Sequence, residues 1–166
     1  MKKKIGIGAL ILLTGIGGAF VYLQTDGYQT NQAAKGVLDN VIDEDYATAA
    51  DYVYFFNGET DLEPTISQEK GKDIWIDRIK DLDGKGISLI DYKNLVVKRD
   101  DGILRGRVDL ILDMDGESVV REDVGVTFTE KNGDWKVQHL EELKIDEVEA
   151  WEKALSGYVS TAGSPS

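Results

Sequence analysis

The sequence predicts an α+β fold: an apolar N-terminal helix, three amphipathic helices packed on a four-stranded antiparallel sheet, and a short C-terminal helix. Three observations lead there. Residues 5–23 carry no charge. Apolar side chains recur at helical spacing as far as residue 84. From Ile87 the period switches to strand-like alternation, broken by Asp-Gly and Asn-Gly pairs.

Lys2, Lys3 and Lys4 form a basic end (residues 1–4), and Ile5 to Leu23 follow without a charge. As a helix this run spans roughly 28 Å, close to the roughly 30 Å of bilayer hydrocarbon. The lysines stay cytoplasmic, which sends the rest of the chain outward. Tyr22 stands at the interfacial position. The competing reading is a cleaved signal peptide, with Gly17-Gly18-Ala19 as the cleavage site and a secreted body. Both readings place the body outside the cytoplasm. The leading one is a single-pass cell-membrane protein whose C-terminal domain is extracellular.

The body is acidic. Thirty-one Asp and Glu face nineteen Lys and Arg, for a net charge of −12. Such a surface repels phosphate backbones, so nucleic acid is excluded as a partner. There is no cysteine, which removes disulfides, thiolate chemistry and cysteine-linked lipid. His139 is the only histidine, so a zinc site would need a mostly carboxylate shell. We expect neither metal nor cofactor.

Residues 24–30 read as a polar linker. The first helix then buries Ala34, Val37, Leu38, Val41 and Ile42. A second opens at Asp45, carries Tyr46, Ala49, Ala50 and Val53 inward, and stops at Asn57-Gly58. A third opens with Thr65 and Gln68 at capping-box spacing, buries Trp75, Ile79 and Leu82, and ends at Asp83-Gly84. Four alternating runs follow: Ile87 to Arg99, Ile103 to Met114, Glu117 to Lys131, and Trp135 to Leu143. A last helix, 146–157, has Asp146 as cap and Val148, Trp151 and Leu155 as its stripe. Residues 158–166 read as a loose tail.

"DMDGE" resembles a calcium loop but fails as one. With Gly116 at the sixth position, the first falls on Ile111, which has no side-chain oxygen. "DLDG" at 81–84 fails likewise, with Ile79 first and Ile90 twelfth. Both stretches are turns. Opposed residues in an antiparallel pair share a face. Regular pairing therefore favours a three-residue loop, Met114-Asp115-Gly116, opposing Leu110 to Val120 and Leu104 to Val126. The same scheme at Asp100-Asp101-Gly102 brings Ile90, Tyr92 and Val96 onto the inner face. "KNGD" fits a two-residue Asn132-Gly133 turn, opposing Phe128 to Val137, Val126 to His139 and Val124 to Glu141.

On that register Glu122, His139 and Glu141 gather on an otherwise apolar surface, a candidate general acid/base or cation-binding set. The bland alternative is a sheet that frays past His139 and leaves the acids in water. The pocket candidates are Trp75, Ile79, Tyr92, Leu110, Val126, Phe128, Trp135 and Val137. Ser118 falls on the face opposite His139, which argues against a serine nucleophile. Arg105 and Arg107 alternate with Asp109 as a solvated charge ladder.

"VLDNVIDEDYATAADYV", "IWIDRIKDL" and "NGDWKVQHL" resemble the opening helices, the third helix and the last-hairpin strand of the NTF2-like superfamily. The chain is most similar to its short, membrane-tethered bacterial members, with the domain spanning 31–145. The resemblance implies a cone of three helices on a curved four-stranded sheet. It also implies two sorts of relative: enzymes similar to ketosteroid isomerase, and non-catalytic binding domains, some of which pair as dimers through their sheets. Fold alone does not choose between them. The expected function is a non-catalytic, membrane-anchored extracytoplasmic binding domain, with an envelope protein or a small apolar ligand as partner, or a second copy of itself. The alternative is a small-molecule acid/base enzyme.

Overall fold

The computed structural model describes residues 26–58, 66–141 and 150–159. The apolar run Ile5–Leu23 lies outside them. Among the described residues no helix is long and apolar enough to cross a membrane. The fold is α+β: helices pack on a four-stranded antiparallel sheet, with a short helix near the C-terminus.

Helix α1 spans Asp26–Ile42. It starts inside the stretch expected to be a linker, because Thr30 belongs to the buried face and its hydroxyl donates back to the Asp26 carbonyl at 2.7 Å. Asp26 in the first turn also suits the helix dipole. Ala33, Ala34, Val37, Leu38 and Val41 face the core as expected.

Helix α2 is only Tyr46–Ala50. Its cap is the expected one, with the Asp45 carboxylate accepting from the Thr48 N–H at 3.2 Å. It does not continue to Asn57-Gly58. Instead the aromatic and β-branched run from Tyr52 extends along the sheet edge, where such residues pack best. Tyr54 N–H donates to the Val137 carbonyl and Val137 N–H to the Tyr52 carbonyl, each at 2.8 Å.

Helix α3 spans Gln68–Gly84, capped by Ser67, whose hydroxyl accepts from the Lys70 N–H at 3.3 Å. The expected cap, Thr65, lies outside the described residues. Gln68 does not close a capping box. Its amide pairs with Phe55 like a short strand, accepting from the Phe55 N–H at 3.3 Å and donating to the Phe55 carbonyl at 3.0 Å. Trp75, Ile79 and Leu82 are buried.

The sheet is a meander of β1 (Ile87–Asp100), β2 (Ile103–Met114), β3 (Glu117–Lys131) and β4 (Asp134–Glu141) in that order. All three turns have two central residues. Asp101-Gly102, Asp115-Gly116 and Asn132-Gly133 all have positive φ, the conformation that Asp-Gly and Asn-Gly favour in hairpins. The three-residue loops expected at the first two are thus corrected: Met114 pairs with Glu117 and Asp100 with Ile103.

Bulges resolve the parity that had favoured longer loops. Leu110 pairs with Arg121, but beyond one irregularity Val108 pairs with Val124. Val108, Leu110, Leu112, Val124 and Val126 all reach the core, while Val120, expected inside, is 50% exposed. Leu104 pairs with Arg99 and Val126 with Gly106, not with each other. Two further irregularities in β1 leave Ile90 and Val96 exposed and Tyr92 half-buried. A fourth, in β4 at Gln138, places Leu140 opposite Val126 where His139 was expected.

Helix α4, Ala150–Leu155, buries Trp151, Ala154 and Leu155; the expected cap Asp146 lies outside the described residues. Residues 157–159 do not form a tail. Gly157 N–H donates to the Gln138 carbonyl at 2.9 Å, Phe56 N–H to the Gly157 carbonyl at 3.1 Å, and Val159 N–H to the Phe56 carbonyl at 2.8 Å. The C-terminal segment is thus threaded between β4 and the 52–56 run, and Val159 is fully buried.

Candidate functional site

The acid/histidine set expected from the sequence does not assemble. Glu122 is exposed on β3, five positions before the Thr127 that faces His139, roughly 17 Å of strand. His139 lies against the edge of the Phe56 ring, 4.9 Å between centroids, with Nδ1 3.2 Å from the Ser156 hydroxyl. Glu141 pairs with Gly125, not Val124, and its side chain lies outside the described residues. The bulge at Gln138 is the cause: one extra residue turns His139 from the inner face toward the C-terminal segment.

The expected pocket residues mostly fill the core. Trp75, Ile79, Leu110, Val126 and Val137 are each 2% exposed or less. Phe128 packs half-buried against them. Tyr92 is half-buried, its hydroxyl donating to Asp39 Oδ1 at 2.8 Å. Trp135 lines a separate depression of ≈ 280 Å³ with Tyr28 and Tyr52. Of the expected set, Ile79 alone borders a larger cavity between the helix ends and the sheet.

That cavity, ≈ 750 Å³, opens where the C-terminal ends of α1 and α3 meet the start of β1 and the end of β2. Leu89, Leu112, Ile79, Leu82, Trp151 and Leu155 contribute apolar surface, and Glu44, Asp83, Asp113 and Asp115 contribute carboxylates. A volume of this order holds a drug-sized molecule.

Local sequence chemistry shapes its rim. Gly86 has φ +77, and a Cβ there would meet Asp115 Oδ1 at 2.4 Å. The Asp115 N–H donates to the Gly86 carbonyl at 2.8 Å, and Asp113 Oδ1 accepts from the Gly116 N–H at 2.7 Å. The β2–β3 turn is thereby clamped beside the end of α3. Across the opening, the Tyr46 hydroxyl donates to Asp83 Oδ2. Burial, reinforced by this bond to a carboxylate, holds the Tyr46 phenol above its ordinary range. It therefore keeps its proton at neutral pH.

Chemically, the cavity offers an apolar floor, fixed hydrogen-bond acceptors and one tyrosine–carboxylate pair. Sequence reasoning placed Tyr46 and Trp151 on helix stripes and Asp113 and Asp115 in a turn. The one available signal was that a turn and a helix end, both acidic, flank apolar strand ends. Comparison of the chain with protein-family models, with curated proteins and with solved structures finds no match.

Proposed function

We propose that this chain is a non-catalytic, membrane-anchored extracytoplasmic binding domain of NTF2-like type, whose ligand sits in the cavity between α3 and the β1–β2 sheet end. The cavity carries the proposal. Its floor suits the apolar body of a small ligand, and its acidic rim suits a hydrogen-bond donor or cationic group on the same molecule. The basic end and uncharged run at residues 1–23 support the anchor.

The test is a binding screen on the full chain in detergent, with small apolar amines and matched neutral analogues, read by calorimetry. Binding of the amines, blocked by Ser88→Trp at the cavity wall, is the expected result. Amine binding that Ser88→Trp leaves intact would overturn the assignment of the site.

A second reading, small-molecule acid/base chemistry, has one observation in its favour: Tyr46 and Asp83 are hydrogen-bonded at the border of an apolar-floored cavity. It rests on that pair, not on Glu122, His139 and Glu141. A bound ligand that is turned over by the native chain but not by Tyr46→Phe would support it. A ligand recovered unchanged would count against it.

A further inference from the structure

The two ends of the domain differ in kind. At one end lie the cavity, the β2–β3 turn and the C-terminal end of α1, with Glu44, Asp83, Asp113 and Asp115 exposed or half-buried. At the other lie the β1–β2 and β3–β4 turns and the N-terminal end of α1. Two contacts fix that arrangement. Asp26, the first residue of α1, pairs with Arg99 of the β1–β2 hairpin at 2.7 Å. Tyr28 and Gln29, one turn on, share a depression with Gly133, Asp134 and Trp135 of the β3–β4 hairpin.

On the anchor reading, this second end faces the membrane. Three chain steps separate Leu23, the last residue of the apolar run, from Asp26, a reach of about 11 Å at most. The headgroup layer on one side of a bilayer is itself roughly 5–8 Å deep. Arg99, at hydrogen-bonding distance from Asp26, is therefore held close to the headgroups.

The chemistry of this end matches that position. Ile103, beside the β1–β2 turn, is 56% exposed. Lys98 pairs with Arg105 across the hairpin, two positions from the Asp100–Ile103 pair and on the same face. Both cations are exposed, and neither has a carboxylate within ion-pair distance among the described residues. Arg107 and Arg99 on the same hairpin are already held by Asp123 and Asp26. Asp100 and Asp101 stand at the tip, so contact requires Lys98 and Arg105 to outweigh them at the lipid surface. Trp135 and Tyr28 supply the half-buried aromatic rings that settle at a membrane interface.

We infer that the β1–β2 hairpin docks on the headgroup layer of the membrane that holds the chain, through Lys98, Arg105 and Ile103, leaving the cavity facing away from the bilayer. The inference rests on the anchor proposed above. It makes the hairpin a second, reversible contact that orients a tethered domain.

The chain contains no cysteine, so a single introduced thiol can be labelled cleanly. Full-length protein carrying Ile103→Cys or Ser118→Cys, each with an environment-sensitive fluorophore, is reconstituted into phosphatidylglycerol-containing vesicles bearing nitroxide lipids. We expect quenching at position 103 and none at 118, which lies by the β2–β3 turn. Lys98→Gln with Arg105→Gln should weaken docking roughly fivefold for each charge removed, while the chain still floats with the vesicles. Flotation with equal, weak quenching at both positions overturns the docking inference and leaves the anchor standing. So does quenching at 103 that the double substitution leaves unchanged, because tether length alone would then explain it. Protein that fails to float with vesicles overturns anchor and docking together.

Discussion

The Asp109 carboxylate on β2 accepts the backbone N–H of Asp123 on β3 at 2.9 Å, and through its other oxygen the side-chain amide of Asn94 on β1 at 2.7 Å. Asn94 and Asp123 both have φ near +60 and each sits at an irregularity in its strand. One side chain on the central hairpin thus ties down the bulges on both sides. Those bulges in turn keep Val108, Val124 and Val126 inside although the turns are short.

Asp109→Ala should therefore cost about 1–2 kcal/mol, one part-buried and one exposed hydrogen bond at modest value each, with amide shifts on both β1 and β3. Urea unfolding and two-dimensional NMR would measure this. The Asp123 N–H, then Asn94, hold the Asp109 carboxyl below its ordinary value. That contribution is fully present above the unfolded carboxylate pKa of about 3.9 and is lost as pH falls through the lower folded value. The acid limb of the stability curve should flatten in the variant.

Gly157 passes so close to the 52–56 run that an added Cβ would lie 2.0 Å from the Tyr54 carbonyl oxygen and 3.1 Å from that of Gln138. Backbone cannot retreat as a side chain can. Gly157→Ala should destabilise by about 3 kcal/mol. Gly84→Ala, where nothing lies within 4 Å, should be neutral or stabilising by up to about 1 kcal/mol. Thermal melts of the two variants side by side provide the check.

Arg78 holds the C-terminal segment from α3, donating to the Ser156 and Tyr158 carbonyls at 2.6 Å each. Burial lowers its pKa to about 10, which leaves it charged at neutral pH. A lysine cannot span two carbonyls with a planar fork. Arg78→Lys should lose about 2 kcal/mol and speed hydrogen exchange at Gly157 and Val159. Unchanged exchange at those amides would show that the clamp is not what orders the segment.

Tyr46 and Tyr92 should ionise late. Burial, then the Asp83 hydrogen bond, raises Tyr46; burial, then Asp39, raises Tyr92 to about 12. Because the folded phenols stay protonated after the unfolded ones ionise, stability is full below about pH 10 and falls as pH rises past it. A tyrosinate-absorbance titration should show these two groups delayed. Tyr46→Phe and Tyr92→Phe should each remove one and soften the alkaline decline.

Among the described residues, the sequence by itself determined the kind of most main elements and the order of the sheet. Helical stripes such as Ala34-Val37-Leu38-Val41, alternation from Ile87, and Asp-Gly or Asn-Gly pairs act over a few residues. They need no distant partner to be legible. The tertiary structure decided what depends on such partners. Val53 to Phe56 became extended because β4 offered Val137 to pair with, and residues 157–159 entered the fold because Gln138 and Phe56 left hydrogen bonds open there. The faces of His139 and Val120 turned on bulges, and a bulge is one residue whose cost is met by neighbouring strands. The cavity, formed where four separated pieces of chain end together, follows from packing, so no single stretch of sequence could announce it.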